Sequence, residues 1–171
     1  DLVPKILPLG TVQKVLQNLL EEGVHIRDMR TIIETLADHA SRTQDPEALT
    51  SAVRVNLGRA IVQQLYPSGN EMQVMSLEPQ LERILMQAVS GSGEGAAIEP
   101  GMADTLMREA GTAAQRQDEL GLPAVLLVPA NLRTLLSRFL RRSIPQLKVL
   151  AHSEVPDTKT IKVTSIIGGR A

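Results

Sequence analysis

Residues 124–128, AVLLV, constrain the fold of this chain more than any other stretch. A short, continuous apolar run is the mark of a strand covered on both faces. An amphipathic helix over 131–142 follows, then an apolar strand over 147–151. Strand, helix, strand reads as one βαβ unit with parallel strands and a right-handed crossover. Upstream, Glu71–Leu77 has strand character through Met72, Val74 and Met75. Downstream, Thr160–Ile167 alternates after the polar stretch 153–159 and is expected to pair antiparallel with the strand before it. The expectation is a mixed sheet of roughly four strands. Two helices precede the apolar run. Pro79 opens one, carrying Leu81, Ile84, Leu85, Ala88 and Val89. Glu99-Pro100 starts the other, with Met102, Leu106, Ala110, Ala113 and Ala114 inward.

The first third of the chain has a different period. In residues 9–40 the apolar residues Leu9, Val12, Leu16, Leu19 and Leu20 recur at helical spacing. Gly23 ends that helix, because glycine adopts the left-handed cap at no steric cost. Asp28 is placed to cap a second helix whose expected stripe is Met29, Ile32, Ile33 and Leu36. Asp45-Pro46-Glu47 marks a third start: a capping carboxylate, proline at the first helical position, and an acid on the positive end of the dipole. Leu49, Val53, Leu57, Ile61 and Leu65 follow at intervals of four, interrupted by Gly58, which implies close packing against a neighbour. Residues 67–70 stop the helix. The chain therefore reads as α+β: a helical bundle over 1–66, then an α/β subdomain over 67–171.

Composition closes off several function classes. With 171 residues, 43% hydrophobic and 22% charged, the chain has the balance of a folded domain. One Tyr, one Phe and no Trp leave an aliphatic core and no stacking platform for single-stranded nucleic acid. The net charge of −1 gives no general attraction to nucleic acid or anionic lipid. The absence of cysteine removes thiol catalysis and cysteine metal sites. No apolar run approaches the roughly 20 residues of a membrane helix. The opening DLVPKILPLG, apolar and without an initiator Met, reads as a cut inside a longer chain.

Candidate chemistry is sparse. The glycine-rich loop 91–95 follows a helix and carries Glu94, whereas a phosphate loop follows a strand and leads into Gly-Lys-Ser/Thr. His25, His39 and His152 share no metal-ligand spacing. No Ser lies in a nucleophile-elbow context. Glu21-Glu22 and Asp118-Glu119 are adjacent pairs suited to a solvated surface. The chain is thus expected not to be an enzyme and to hold no cofactor or metal. Residues 11–40 also resemble a helix-turn-helix, with Arg27, Asp28 and Arg30 where a recognition helix begins. Yet Glu21, Glu22, Glu34 and Asp38 surround those arginines and would repel phosphates. The strongest surface feature is the helix over 131–142. Leu132, Leu135, Leu136, Phe139 and Leu140 are assigned to its sheet-facing arc, and Arg133, Arg138, Arg141 and Arg142 to the opposite one. These four arginines form either a solvated face favoured by the helix dipole or a docking patch for an acidic partner.

The stretches VLQNLLEEGVHIRDMRTIIETLADHA (15–40), FLRRSIPQL (139–147) and IIGGR (166–170) closely resemble the FHIPEP family of type III secretion proteins. The V-H-I-R-D-M-R form, in place of V-S-I-R-N-L-R, resembles the flagellar branch. The resemblance covers essentially the whole chain. It implies the two C-terminal subdomains of an export gate's cytoplasmic region, which forms a ring at the cytoplasmic face of the bacterial inner membrane. It also implies partners: flagellar chaperone–substrate complexes, components of the export ATPase complex, and other copies of the chain, but no nucleic acid. The complete family protein is an integral membrane protein; this part is expected not to span the membrane. The helical part is expected to supply ring contacts and the α/β part a partner-facing surface. No chaperone-contact residue of the family carries over to these positions. The equivalent part of a virulence secretion system is the alternative, and a DNA-binding regulator a more distant one.

Overall fold

The computed structural model describes residues 8–67, 69–92 and 100–168, without the side chains of 90–92 and 100. They form α1 (Leu9–Glu21), α2 (Met29–His39), α3 (Pro46–Asn56), α4 (Gly58–Leu65), β1 (Glu71–Leu77), α5 (Pro79–Ser92), α6 (Pro100–Glu119), β2 (Val125–Val128), α7 (Ala130–Arg141), β3 (Lys148–Ala151), a 3-10 turn (His152–Glu154) and β4 (Thr160–Ile167). The residues divide into a helical unit, 8–67 with Glu154–Pro156, and a sheet unit, 69–153 with 157–168. A contiguous second segment was the natural reading of the sequence, but Glu154–Pro156 belongs to the helical unit.

In the helical unit, α1 and α2 both pack on α3. Gly23, at φ 76°, closes α1. Its N–H donates to Leu20 O at 3.0 Å, and the Val24 N–H donates to Leu19 O at 2.9 Å. This pair of bonds satisfies carbonyls that a bare helix end would leave open. Asp28 caps α2: its carboxylate accepts from the Thr31 N–H at 3.1 Å and the Thr31 hydroxyl at 2.6 Å. Asp45 caps α3 through the Ala48 N–H at 3.3 Å. The inward stripe of α2 is narrower than the sequence suggests. Ile32 and Leu36 are buried, but Met29 and Ile33 are 38% and 45% exposed. With α3 as its principal neighbour, α2 covers only one arc. The helix expected to run from Asp45 past Gly58 is two helices, broken at Leu57. A Cβ at Gly58 would overlap the backbone carbonyl of Glu154, so only glycine lets those backbones approach.

The sheet unit contains a four-stranded sheet in the order β3-β2-β1-β4, and every pair is parallel. The βαβ unit over β2, α7 and β3 is present, with Val125 opposite Lys148 and Val128 opposite Ala151. All four β2 residues are buried, as the apolar run requires. The expected antiparallel pairing of β4 with β3 is wrong: β4 lies on the far side of the sheet, parallel to β1. Strand length gives the reason. β1 and β4 have 7 and 8 residues, whereas β3 has only 4 and would leave half of the β4 backbone unpaired. Helices α5, α6 and α7 build one core with Met75, Leu77, Leu126, Val128, Val149 and Ile167 of the sheet. The Glu78 carboxylate caps α5 by accepting from the Leu81 N–H at 3.0 Å. Helix α5 continues through Gly91 to Ser92; the rest of the expected glycine-rich loop, 93–95, lies outside the described residues, as do 1–7 and 169–171.

Candidate functional site

The arginines singled out by the sequence lie on or just beyond α7, and the structure separates them. Arg138 and Arg142 are exposed and Arg141 is half-buried. Arg133 is buried, at 3% exposure, and does not join the outward face. Helical geometry gives the cause. At about 100° per residue, Arg133 lies about 20° from Leu140 and about 60° from Leu136, inside the arc that faces the core. Arg138 and Arg142 lie about 140° and 180° away from it. The outward cations of this segment are therefore Arg138 and Arg142, flanked by Arg141.

A second basic surface in the sheet unit has no counterpart in the sequence reading. Helix α6 and the residues just after α7 bound an open groove of about 640 Å³. Met107, Arg108, Gly111, Arg116, Glu119 and Ile144 are among the residues that line it. Both arginines are exposed. The Gln115 amide donates to the Glu119 carboxylate at 3.3 Å. The outward residues of α6 sit opposite its inward stripe of Leu106, Ala110, Ala113 and Ala114, so the signal in the sequence was the helical period of that stripe.

Two further polar centres are internal. In the helical unit Arg54 is 2% exposed. Its Nε and Nη2 donate to the two carboxylate oxygens of Glu154 at 2.8 and 3.0 Å, and its Nη1 lies 3.4 Å from Glu22 Oε1. Burial alone would lower the guanidinium pKa; the hydrogen bonds and charge of Glu154, with the charge of Glu22, outweigh it and raise the pKa. In the sheet unit Gln117 is fully buried. Its amide donates to the carbonyls of Gln73 at 3.2 Å and Pro123 at 3.0 Å. Its oxygen accepts from Thr164 at 2.7 Å. Thr164 is the extra residue of a β-bulge, since Val74 pairs with Val163 and Met75 with Ser165. Gln117 thus pins the strand irregularity beside β1.

Near the corner after α1, a smaller recess of about 330 Å³ takes in His25, Arg27 and Asp28 above Leu57 and Ile61. Arg30 lies 3.6 Å from Glu34 one turn along α2. Among the described residues, no group of three or more His, Asp or Glu is placed to hold a metal ion, and no helix is long and apolar enough to cross a membrane.

These features define an α+β chain that joins a helical unit to a parallel-sheet unit, with exposed arginines on all three of the sheet unit's helices. A sequence profile of the FHIPEP family matches residues 1–160, and the chain belongs to that family. It is 55% identical over 99% of its length to the flagellar biosynthesis protein FlhA of Salmonella typhimurium, of which it spans 24%. Among solved structures, it is similar to nonameric EPEC SctV-C, with 27% identity and a TM-score of 0.78 over 95% of this chain and 49% of that one. The fold is shared with the CdsV protein of Chlamydia pneumoniae, with 23% identity and a TM-score of 0.86 over 96% of this chain and 48% of that one.

Proposed function

We propose that this chain is a docking and ring-forming module of the flagellar type III protein export gate, acting by protein contact rather than by catalysis. In this reading it works at the cytoplasmic face of the bacterial inner membrane as part of a longer membrane protein. It receives chaperone–substrate complexes and meets components of the export ATPase complex. The observation that carries the reading is the 55% identity to a flagellar biosynthesis protein over 99% of the chain. The chain spans about a quarter of that relative, so partners that need the remaining residues are part of the proposal. Self-association is supported by the similarity to a domain solved as a nonamer. The 27% identity to that secretion-system domain makes the virulence-type equivalent the second reading.

Within this function, Arg138, Arg141 and Arg142 are the proposed partner-facing set, suited to carboxylates through bidentate guanidinium contacts. Arg133 is excluded by its burial. The test is a pull-down of flagellar chaperone–substrate complexes with this chain and with a longer one carrying the upstream residues. Capture by both, weakened by Arg-to-Glu changes at 138, 141 and 142 in a folded protein, is the expected result. Capture only by the longer chain assigns docking elsewhere. Unchanged capture by the arginine variants removes the α7 set from the interface.

A further inference from the structure

We propose that the end of β4 is a two-register strand, held in its bulged register by a clasp at Gly168 and able to slip by one residue when that clasp opens. A bulge in a parallel pair is rare, and this one leaves two residues poorly placed. Val74 lies opposite Val163, Met75 opposite Ser165, Ser76 opposite Ile166 and Leu77 opposite Ile167. Met75, Leu77 and Ile167 face the core built with α5, α6 and α7. Ser165, opposite Met75, is therefore turned inward. It is buried, and its hydroxyl has no hydrogen-bond partner among the described residues. Ile166 is turned outward and is 57% exposed.

A slip of one residue reverses both defects. Side chains alternate between the faces of a strand, so closing the bulge places Thr164 opposite Met75, Ser165 opposite Ser76 and Ile166 opposite Leu77. Ser165 then reaches water, and Ile166 enters the core slot that Ile167 vacates. The two side chains are identical, so the volume of the slot does not distinguish the registers. Thr164 moves to the face from which Gln117 already accepts its hydroxyl. As β4 is an edge strand, only its ladder with β1 has to re-pair.

The clasp accounts for the bulged register. The Gly168 N–H donates to Glu109 Oε1 at 2.6 Å. Gly168 has φ 84°, and a Cβ there would lie 2.5 Å from Leu81 Cδ2. The slip brings Ile167 to this position, where a β-branched residue neither adopts that φ nor fits beside Leu81. The clasp must open before the strand moves. The consequence is felt at the surface. In the bulged register Ile161, Val163 and Ile166 are exposed on one face of β4. After the slip Ser165 replaces Ile166 there. A partner that packs on these three apolar residues selects the bulged register, and one that draws the Glu109 carboxylate away selects the other.

The test uses the 171-residue chain labelled at its isoleucine δ1 methyls, with a soluble paramagnetic agent that broadens the methyls facing solvent. In the wild type the Ile166 methyl is expected to broaden, and those of Ile167 and the core residue Ile144 to stay sharp. In Glu109→Leu/Gly168→Ala, which removes the clasp, Ile166 and Ile167 are expected to exchange behaviour while Ile144 stays sharp. Glu109→Gln, which weakens the clasp and leaves Gly168 in place, is expected to shift both methyls less in the same directions. Ser165→Ala in the double variant removes the orphaned hydroxyl and is expected to reduce the exchange. Broadening of both Ile166 and Ile167, which is fraying, or no change in either, overturns the proposal. So does an exchange that Ser165→Ala leaves undiminished. If the double variant does not fold, Glu109→Gln decides by the same criteria.

Discussion

Two buried polar side chains, one in each unit, are satisfied in opposite ways. In the helical unit Arg54, at 2% exposure, is an ion held by both oxygens of Glu154. In the sheet unit Gln117 is a neutral amide, fully enclosed and bonded to two carbonyls and one hydroxyl. The difference lies in what is left behind when one partner is lost. An ion pair in a low-dielectric interior leaves an uncompensated charge, whereas an amide leaves unpaired dipoles. Each arrangement fixes something that apolar packing would leave loose. Arg54 fixes residues 154–156 within the helical unit, and Gln117 fixes the β-bulge at Thr164.

The largest effect tests the ionic side of this contrast. Arg54→Ala strands the Glu154 carboxylate and is expected to destabilise the helical unit by about 3–5 kcal/mol. Tyr66, the sole tyrosine, is buried in that unit, so tyrosine emission during urea unfolding reads the loss directly. Arg54→Met combined with Glu154→Leu removes both charges and is expected to recover most of the loss. A double variant no better than the single would show that the bidentate geometry, rather than the stranded charge, carries the energy.

The neutral side is expected to be weaker. Gln117→Leu deprives the Gln73 and Pro123 carbonyls of a donor and costs about 1–3 kcal/mol. The effect should appear as faster amide exchange along β1 and β4, with Tyr66 emission unchanged. Gly58→Ala drives a Cβ into the Glu154 carbonyl. It is expected to cost about 1–3 kcal/mol through forced backbone movement, and less in the Arg54→Ala background, where residue 154 is already released.

The smallest effect is at the surface. The hydrogen bonds of the Thr31 side chain and backbone hold the Asp28 carboxyl below its ordinary value of 3.8. A depressed folded pKa means the stabilising contribution is complete above the unfolded value and is lost as pH falls through the folded one. Asp28→Asn is therefore expected to remove the part of the acid dependence that wild type shows below pH 3.8, and to leave the rest of the profile in place. Titrating both proteins between neutral pH and pH 2 by circular dichroism checks this; coincident acid limbs would show that the cap has no ionic component.

Much of the local structure was legible from the sequence. Asp28 and Asp45-Pro46 name their helix starts because a cap is a bond between residues three apart. Gly23 names a helix end because only its backbone geometry suits the turn. The β2 run announces a doubly covered strand. The departures are of two kinds, the angle of a residue on its helix and the pairing of distant segments. The partner of β4 depends on the length of a strand some ninety residues upstream, which no local pattern encodes. Arg133 was assigned to the outer face because it is charged, although its angle places it with Leu136 and Leu140. The α6 groove went unseen because its lining comes from two segments separated in the chain.

The sequence by itself determined most of the helices and strands, the caps at Asp28 and Asp45, and the family, because these rest on periodicity and short-range bonding carried within a few residues of chain. The tertiary structure alone decided the all-parallel strand order and the union of Arg54 with a glutamate 100 positions away. These depend on which segments enclose one another, and burial exists only after the chain has closed on itself.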